Sequence, residues 1–391
     1  MAGPLENTRV VEISHMVMGP TCGLYLAQLG AEVIKVEPPQ GDKTRALKGM
    51  GASFFPTFNR GKRSVAIDIA TQGGLEALYR LLATADVFVE NFRDETLARM
   101  GVDHATLRRK FPRLITAAHK GFLSGPYAHR PALDEVVQMA TGMAYMTGPS
   151  GRPLRMGSSA NDIMGGIHGV VGILAALLER ARTGEGQEVR VGLFENCLFL
   201  VAQHMVHFDL SGTASPPMPE RDFSWPVYDV FDTSDGRQIF LAVVTDGHWQ
   251  AACRMFGFDD LLADPALQSQ MGRIAGRGGF LPRFTEALTV RPLDELCRLF
   301  DSANIPYSPI NRPQDMYEDP HVNRPGGLTS SRNSDGAPFR TPSLPIEFDG
   351  IGLSAQSDVP VLGADTEAVL TSLGYSAGEI DDLARSRAEA A

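Results

Sequence analysis

Strand-like and helix-like stretches alternate through the first 120 residues of the chain. Arg9 to Ile13 (RVVEI) is β-branched and bounded by polar residues, which reads as a strand. Gly19-Pro20 opens a helical stretch, Thr21 to Leu29, and Gly30 stands where a glycine ends a helix. Ala31 to Val36 returns to strand and completes one βαβ unit. The pattern repeats with a strand over Ser64 to Ile69, a helix over Gly73 to Leu82 and a strand over Asp86 to Val89. Short helices over Glu95 to Met100 and near 104–110, then a strand over Leu114 to Ala118, follow. Such alternation predicts an α/β fold, a parallel sheet with helices on its faces. It also raises a nicotinamide oxidoreductase reading, weakened because the first strand–helix turn lacks GxGxxG.

Farther on, 133–147 and 163–182 read as longer helices joined by the Gly/Pro/Ser-rich segment 148–159. A strand over Glu188 to Val191 and a helix over 193–211 follow. The turn-rich stretch 211–226 reads as a linker. Gln238 to Val244 is a strand, and the segments near 247–256 and 281–302 look helical, so 227–310 forms a small α+β domain. A second loop-rich linker covers 311–343, and the tail carries one more helix at GADTEAVLTSLG. The expected layout is a large domain over 1–210, the small one over 227–310, and a C-terminal part, 344–391, completing the large domain.

With 391 residues, the chain is too long for one ordinary core, and 43% hydrophobic with 21% charged residues is globular composition. The most apolar stretch, 164–178, is shorter than a membrane span, contains Gly and His, and runs into Glu179-Arg180. The opening MAGPLENTRVVEIS has no basic leader followed by an apolar run. Four cysteines are scattered, with no CxxC and no His pair at ligand spacing. These features predict a cytoplasmic protein with reduced thiols, no bound metal and no membrane partner. A formal net charge of −10 opposes nucleic-acid binding.

Among residues that can do chemistry, Asp162 precedes a helix rich in small residues. It reads either as an N-cap or as a nucleophile at a helix N-terminus, where glycines 157, 165 and 166 allow close approach. Asp134 begins another helix and carries the same two readings. His15, His119 and Lys120 follow predicted strands, where α/β folds place ligand crevices. Lys35, Lys62 and Arg63 are either phosphate contacts or surface charges. The Phe54, Phe55 and Phe58 run reads as core packing.

Several blocks resemble the class III CoA-transferases, the superfamily of formyl-CoA transferase, carnitine CoA-transferase and 2-methylacyl-CoA racemase. They are RVVEISHMVMGPTCGLYLAQLGAEVIKVEPPQGDKTR, FNRGKRSVAIDI, ADVFVENFRDETLARMGV, PRLITAAHKGF and SSANDIMGGIHGVVGILAALLERARTGEGQEVRVGLFE. DGRQIFLAV and VPVLGADTEAVLTSLGY complete the set, in order along nearly the whole chain. The resemblance implies a Rossmann-like large domain whose parallel sheet is built from both chain ends, an inserted small domain, and two chains threaded as an interlocked homodimer. It implies Asp162 as catalytic nucleophile and CoA contacts at Met16, Val17, Lys62, Arg63, Asn91, Phe92 and Arg99, with Asp134 also among the CoA-binding residues. Pro38 stands where relatives often carry a basic residue, so the adenine end is expected to be held differently. No glycine run lies between 212 and 250, which argues against oxalate or formate as substrate.

The implied reaction moves CoA from an acyl-CoA to a small, dicarboxylic acid through an aspartyl anhydride and an aspartyl-CoA thioester, with CoA thioester as substrate and no permanent cofactor. Two rivals stand beside it. A 2-methylacyl-CoA racemase would need a His directly before Asp134, where Leu133 stands, and leucine moves no proton. A silent CoA-binding protein would not need Asp162. Arg155, Arg130 and His119 are candidate partners for a distal substrate carboxylate.

Overall fold

The computed structural model describes residues 3–221, 225–353 and 357–389. Residues 222–224 of the expected 211–226 linker, and 354–356 and 390–391 of the C-terminal part, lie outside the described residues. The chain divides into two units, 1–219 together with 320–391, and 220–319.

In the first unit, β1 (Arg9–Ile13), α1 (Met18–Gln28) and β2 (Glu32–Glu37) form the opening βαβ. The short α2 (Phe54–Phe58), β3 (Arg63–Ala66), α3 (Gln72–Leu82) and β4 (Val87–Glu90) follow. Next come α4 (Asp94–Met100), α5 (His104–Lys110) and β5 (Ile115–Lys120). After these come α6 (Asp134–Ala140), α7 (Met143–Thr147), α8 (Ala160–Thr183), β6 (Glu188–Gly192), α9 (Leu193–Leu200) and α10 (Ala202–Ser211). The six strands pair in parallel in the order β3-β2-β1-β4-β5-β6. Strand order therefore reverses between β1 and β4, and the loops after those two strands border a switch-point crevice.

Alternate residues of each strand feed two cores, as period-two side-chain direction requires. Val11, Ile13, Ile34, Phe88 and Val65 face α3 and α5. Val10, Val33, Val87, Val89, Ile115 and Ala117 face α1 and α8. The 24-residue α8 is longer than expected and, by length and composition, apolar enough to cross a membrane. Its Val170, Ile173 and Ala176 instead pack in the second core, against the sheet and α1.

The second unit holds β7 (Val227–Asp232), β8 (Gln238–Val243), α11 (Asp246–Phe256), α12 (Asp259–Ala263), α13 (Gln270–Thr289), α14 (Leu293–Ala303) and β9 (Tyr307–Pro309). Its three strands are antiparallel in the order β7-β8-β9, over a core of Trp249, Phe280, Phe284 and Phe300.

The chain returns to the first unit with β10 (Leu328–Arg332), β11 (Pro338–Pro342), β12 (Leu344–Phe348), β13 (Ile351–Leu353), α15 (Thr366–Ser372) and α16 (Ala377–Glu389). Here the structure corrects the expected sheet. Among the described residues, the C-terminal segment supplies no strand to the parallel sheet; its strands pair with one another, as two hairpins. At the start of α15, the N-cap Asp365 and Thr366 accept the Ser64 and Ala66 N–H groups at the β3 edge, and Leu344, Ile346 and Leu353 pack against the second core.

Candidate active site

The switch-point crevice gathers five of the nominated residues, His15, Met16, Val17, Asn91 and Phe92. The Asn91 side chain accepts the His15 N–H at 3.1 Å and donates to the His15 carbonyl at 2.8 Å, so the ends of β1 and β4 are clasped together. His15 lies against the Phe92 ring, 5.2 Å between centroids, and burial pulls its imidazole below the usual range. Met16 follows with φ 62°, a left-handed conformation costly for a non-glycine residue. Its N–H is fixed on the Thr44 hydroxyl at 3.0 Å. Met16 is exposed and Val17 buried.

Beneath this turn lies a buried charge cluster. Lys35, with no exposure, donates to the Ser14 carbonyl at 2.5 Å and pairs with Asp42 at 3.1 Å and Glu12 at 3.4 Å. Lys62 pairs with Glu12 at 2.8 Å and donates to the Pro20 carbonyl and the Asn59 amide oxygen, each at 3.0 Å. Burial draws the Lys62 ammonium down to about 8, against the pull of Glu12. Its side chain is fully buried, and these acceptors occupy its three donors. Lys62 therefore works inside the protein rather than on the surface facing a phosphate. Arg63 is not brought to the crevice either. Its guanidinium is tied to Glu32 and, at 3.0 Å, to Asp365. Arg99 sits exposed in the last turn of α4.

Asp162 reaches the same crevice along α8. At Gly165 and Gly166 an added Cβ would meet Met18 and Thr21 of α1, so these glycines let the first turn of α8 close on the first turn of α1. The N-cap of α8 is Ser159, and Asp162 is the third helical residue; Asp134 is the first residue of α6, after Leu133. Neither carboxylate is an N-cap, which removes the simpler reading of both.

The half-buried Asp162 carboxyl is pushed up to about 7 by burial and by the nearby Asp134, against the Arg155 guanidinium. A first-turn position normally favours a carboxylate; desolvation and a like charge outweigh it here. Asp134 is 9% exposed and is likewise raised by burial, with Arg155, Gln138, the Asp162 N–H and the Asn161 amide opposing. Arg155 bonds Asp134 at 3.3 Å and the Met156 and Ser158 carbonyls, and lies 3.7 Å from Glu135. It is committed to the protein's own carboxylates rather than free for a substrate's. His119 is buried behind α8, where a Cβ at Gly169 would strike it, and burial lowers it to about 4. Arg130 stacks on Tyr127, 3.8 Å from guanidinium to ring centre.

Two buried amides escaped sequence reasoning. Gln138, four residues after Asp134, donates to its carboxylate at 2.8 Å; the i,i+4 spacing of Asp and Gln was the available signal. Asn196 of α9 donates to the Asn161 carbonyl at 2.9 Å and to the Asn161 amide oxygen. No spacing rule links residues 35 positions apart.

The doubly wound parallel sheet defines an α/β framework, and solved structures share that fold. A CAIB/BAIF family protein from Brucella suis superposes with a TM-score of 0.84 at 32% identity, covering 95% of this chain and 100% of that one. The family model for CoA-transferase family III matches residues 5–366, and the chain belongs to that family. Succinate–glutarate CoA-transferase of Agrobacterium fabrum is 33% identical over 384 residues, 95% of this chain and 96% of the relative. Succinyl-CoA:mesaconate CoA-transferase of Haloarcula marismortui is 31% identical, covering 82% and 83%. Acetyl-CoA:oxalate CoA-transferase of Acetobacter aceti is also 31% identical, covering 79% and 81%. The protein is a class III CoA-transferase, an enzyme of CoA transfer between carboxylates.

Proposed function

We propose that this enzyme moves CoA from succinyl-CoA to a second small dicarboxylic acid, with Asp162 as covalent relay. The desolvated Asp162 carboxylate, set among Asp134 and Arg155 in the first turn of α8, is the observation that carries the reading. A carboxylate whose basicity is raised by burial is a better nucleophile once ionised, and loses less solvation on attack.

One Asp162 oxygen attacks the thioester carbonyl carbon; the C–S bond breaks and CoA leaves as thiolate, giving an aspartyl–succinyl anhydride. The thiolate attacks the aspartyl carbonyl carbon, expelling succinate and leaving an aspartyl-CoA thioester. The acceptor carboxylate attacks that carbonyl, freeing thiolate and forming a second anhydride. Thiolate attack on the acceptor's acyl carbon then releases the new CoA thioester and restores Asp162. No proton is gained or lost overall. The crevice turn at Met16 and Val17, with Asn91 and Phe92 beside it and exposed Arg99 beyond, takes the CoA chain. Two of the named relatives carry succinate with glutarate or mesaconate in their names, which supports dicarboxylates of four or five carbons; the third is named for oxalate. At Leu133, 66% exposed, no proton can move, which favours transfer over α-carbon racemisation.

We also propose a homodimer. The helices of the first unit expose Leu133, Val171, Leu178, Phe199, Phe208 and Leu210, each more than half accessible. So many exposed large apolar side chains on one unit support an interface with a second copy. Sedimentation at micromolar and nanomolar protein is expected to give one dimeric species; a monomer would overturn this. For the chemistry, Asp162→Ala is expected to lose transfer by about a thousandfold or more, ~4 kcal/mol of barrier, while binding CoA and melting cooperatively. Substantial turnover by Asp162→Ala would overturn the assignment.

A further inference from the structure

Gln138 has no exposure, yet it stands on α6 beside Val137, which packs with Met18, Leu193 and Cys197. A leucine would satisfy such a place; a buried amide is costly unless both its ends are bonded. Both are. Its Nε2 donates to Asp134 Oδ2 at 2.8 Å, and its Oε1 accepts the Met156 N–H at 2.9 Å. Neither bond belongs to a helix or sheet ladder. One grips the carboxylate facing Asp162, and the other grips the segment that runs through Ser158 into α8. Asp134 Oδ2 also receives Arg155, while the buried Asp134 Oδ1 has no hydrogen-bond partner among the described residues.

We propose that Gln138 is a positioning residue for the transfer reaction, fixing the Asp134 carboxylate and the Met156 peptide in the arrangement that faces Asp162. This rests on the reading of Asp162 as nucleophile. The charged group on Asp162's own flank is Asp134 from α6, and Arg155 faces both from the 148–159 loop. Glu135 pairs the other side of Arg155, and the Cys197 thiol faces Asp134 from α9. By donating to Asp134, Gln138 favours the charged form of that neighbour, and a charged neighbour holds Asp162 protonated to higher pH. Removing the donor lets Asp134 go neutral and releases Asp162 to ionise earlier. Replacing the amide by a carboxyl adds a third acid beside Asp134 and Asp162 and delays it.

The test compares full-length wild type, Gln138→Leu and Gln138→Glu with succinyl-CoA as donor and glutarate as acceptor, from pH 5.5 to 9. Both variants are expected to lose about tenfold or more in kcat, with the KM for succinyl-CoA nearly unchanged. The rising limb of the pH profile is expected to move down in Gln138→Leu and up in Gln138→Glu. Opposite displacements are not produced by a general loosening of structure. Profiles that superimpose on wild type, that shift in one direction, or a loss confined to KM would overturn the proposal. If Gln138→Leu fails to fold by circular dichroism, Gln138→Glu decides alone, an unshifted limb overturning it. Asp162→Ala is assayed beside them. If it is inactive while the Gln138 variants are unshifted, this inference alone falls; if it is active, the reading beneath it falls as well.

Discussion

Two polar clusters of the same unit, one buried and one partly exposed, set charge against charge in opposite ways. Under the Met16 turn, Glu12 and Asp42 meet Lys35 and Lys62, two acids against two bases, none more than 7% exposed. At the head of α8, Asp162, Asp134 and Glu135 meet one guanidinium, Arg155. The first cluster is balanced and bonded to the backbone carbonyls of Ser14 and Pro20, so it shapes a turn. The second has two carboxylates more than it has cations, and the imbalance appears as an acid held near 7. Lysines that read in sequence as phosphate contacts are thus buried in ion pairs, and an aspartate that read as a cap is the carboxyl the proposed relay uses.

The contrast predicts stability changes of opposite sign, measured by thermal and denaturant unfolding. Lys62→Met is expected to cost the most, about 3–5 kcal/mol, because it takes from the buried Glu12 its shorter ion pair and leaves it the longer one to Lys35 and the Ser14 hydroxyl. Adding Glu12→Gln to it should recover part of that loss. A Lys62→Met protein as stable as wild type, but with weakened CoA binding, would return Lys62 to the ligand side of the comparison.

Asp162→Asn is expected to stabilise, and more at pH 8 than at pH 5. In the folded chain Asp162 stays protonated up to about 7, whereas unfolded it ionises near an ordinary aspartate value. The folded state therefore holds more protons across that window, and the wild type loses stability as pH rises through it. The neutral amide does not titrate, so its advantage grows over the same range. Solvent screening at this half-exposed carboxylate brings the gain at pH 8 to about 1–2 kcal/mol. A gain that is the same at both pH values would remove the charge imbalance as its cause.

Much of the fold was legible because the sheet is patterned by buried, β-branched strands. Arg9–Ile13 matches its expected bounds, and 238–244 ends one residue early. Misreadings fall where single residues break a continuous apolar pattern. The stretch 133–147 reads as one helix, but Gly142 takes φ 89° and splits it into α6 and α7. Likewise 193–211 divides at Val201, and 281–302 falls on two helices separated at Pro292. The loop-rich 311–343 hides the β10–β11 hairpin. Pro338 and Pro342 cap the ends of β11 and its strands are polar, yet Asp335-Gly336, with Gly336 at φ 87°, was the turn signal.

The site divides in the same way. Asp162, Asp134, His15 and Asn91 stand at helix starts and strand ends, places that patterning locates. What the carboxylates touch depends on the α1–α8 crossing and on partners such as Asn196 and Met156, which only the tertiary fold brings near. Burial of Lys62 has the same origin: nothing in GKR distinguishes a lysine turned inward on Glu12 from one turned to solvent.

The relay itself is tested most directly by intact-protein and peptide mass spectrometry after brief incubation with succinyl-CoA. Parallel quenches use hydroxylamine and borohydride, with Asp162→Ala beside the wild type. The relay predicts a hydroxamate or a reduced alcohol at residue 162, lost in the alanine variant. Modification at another residue, or wild type left unmodified while it turns over, would contradict it.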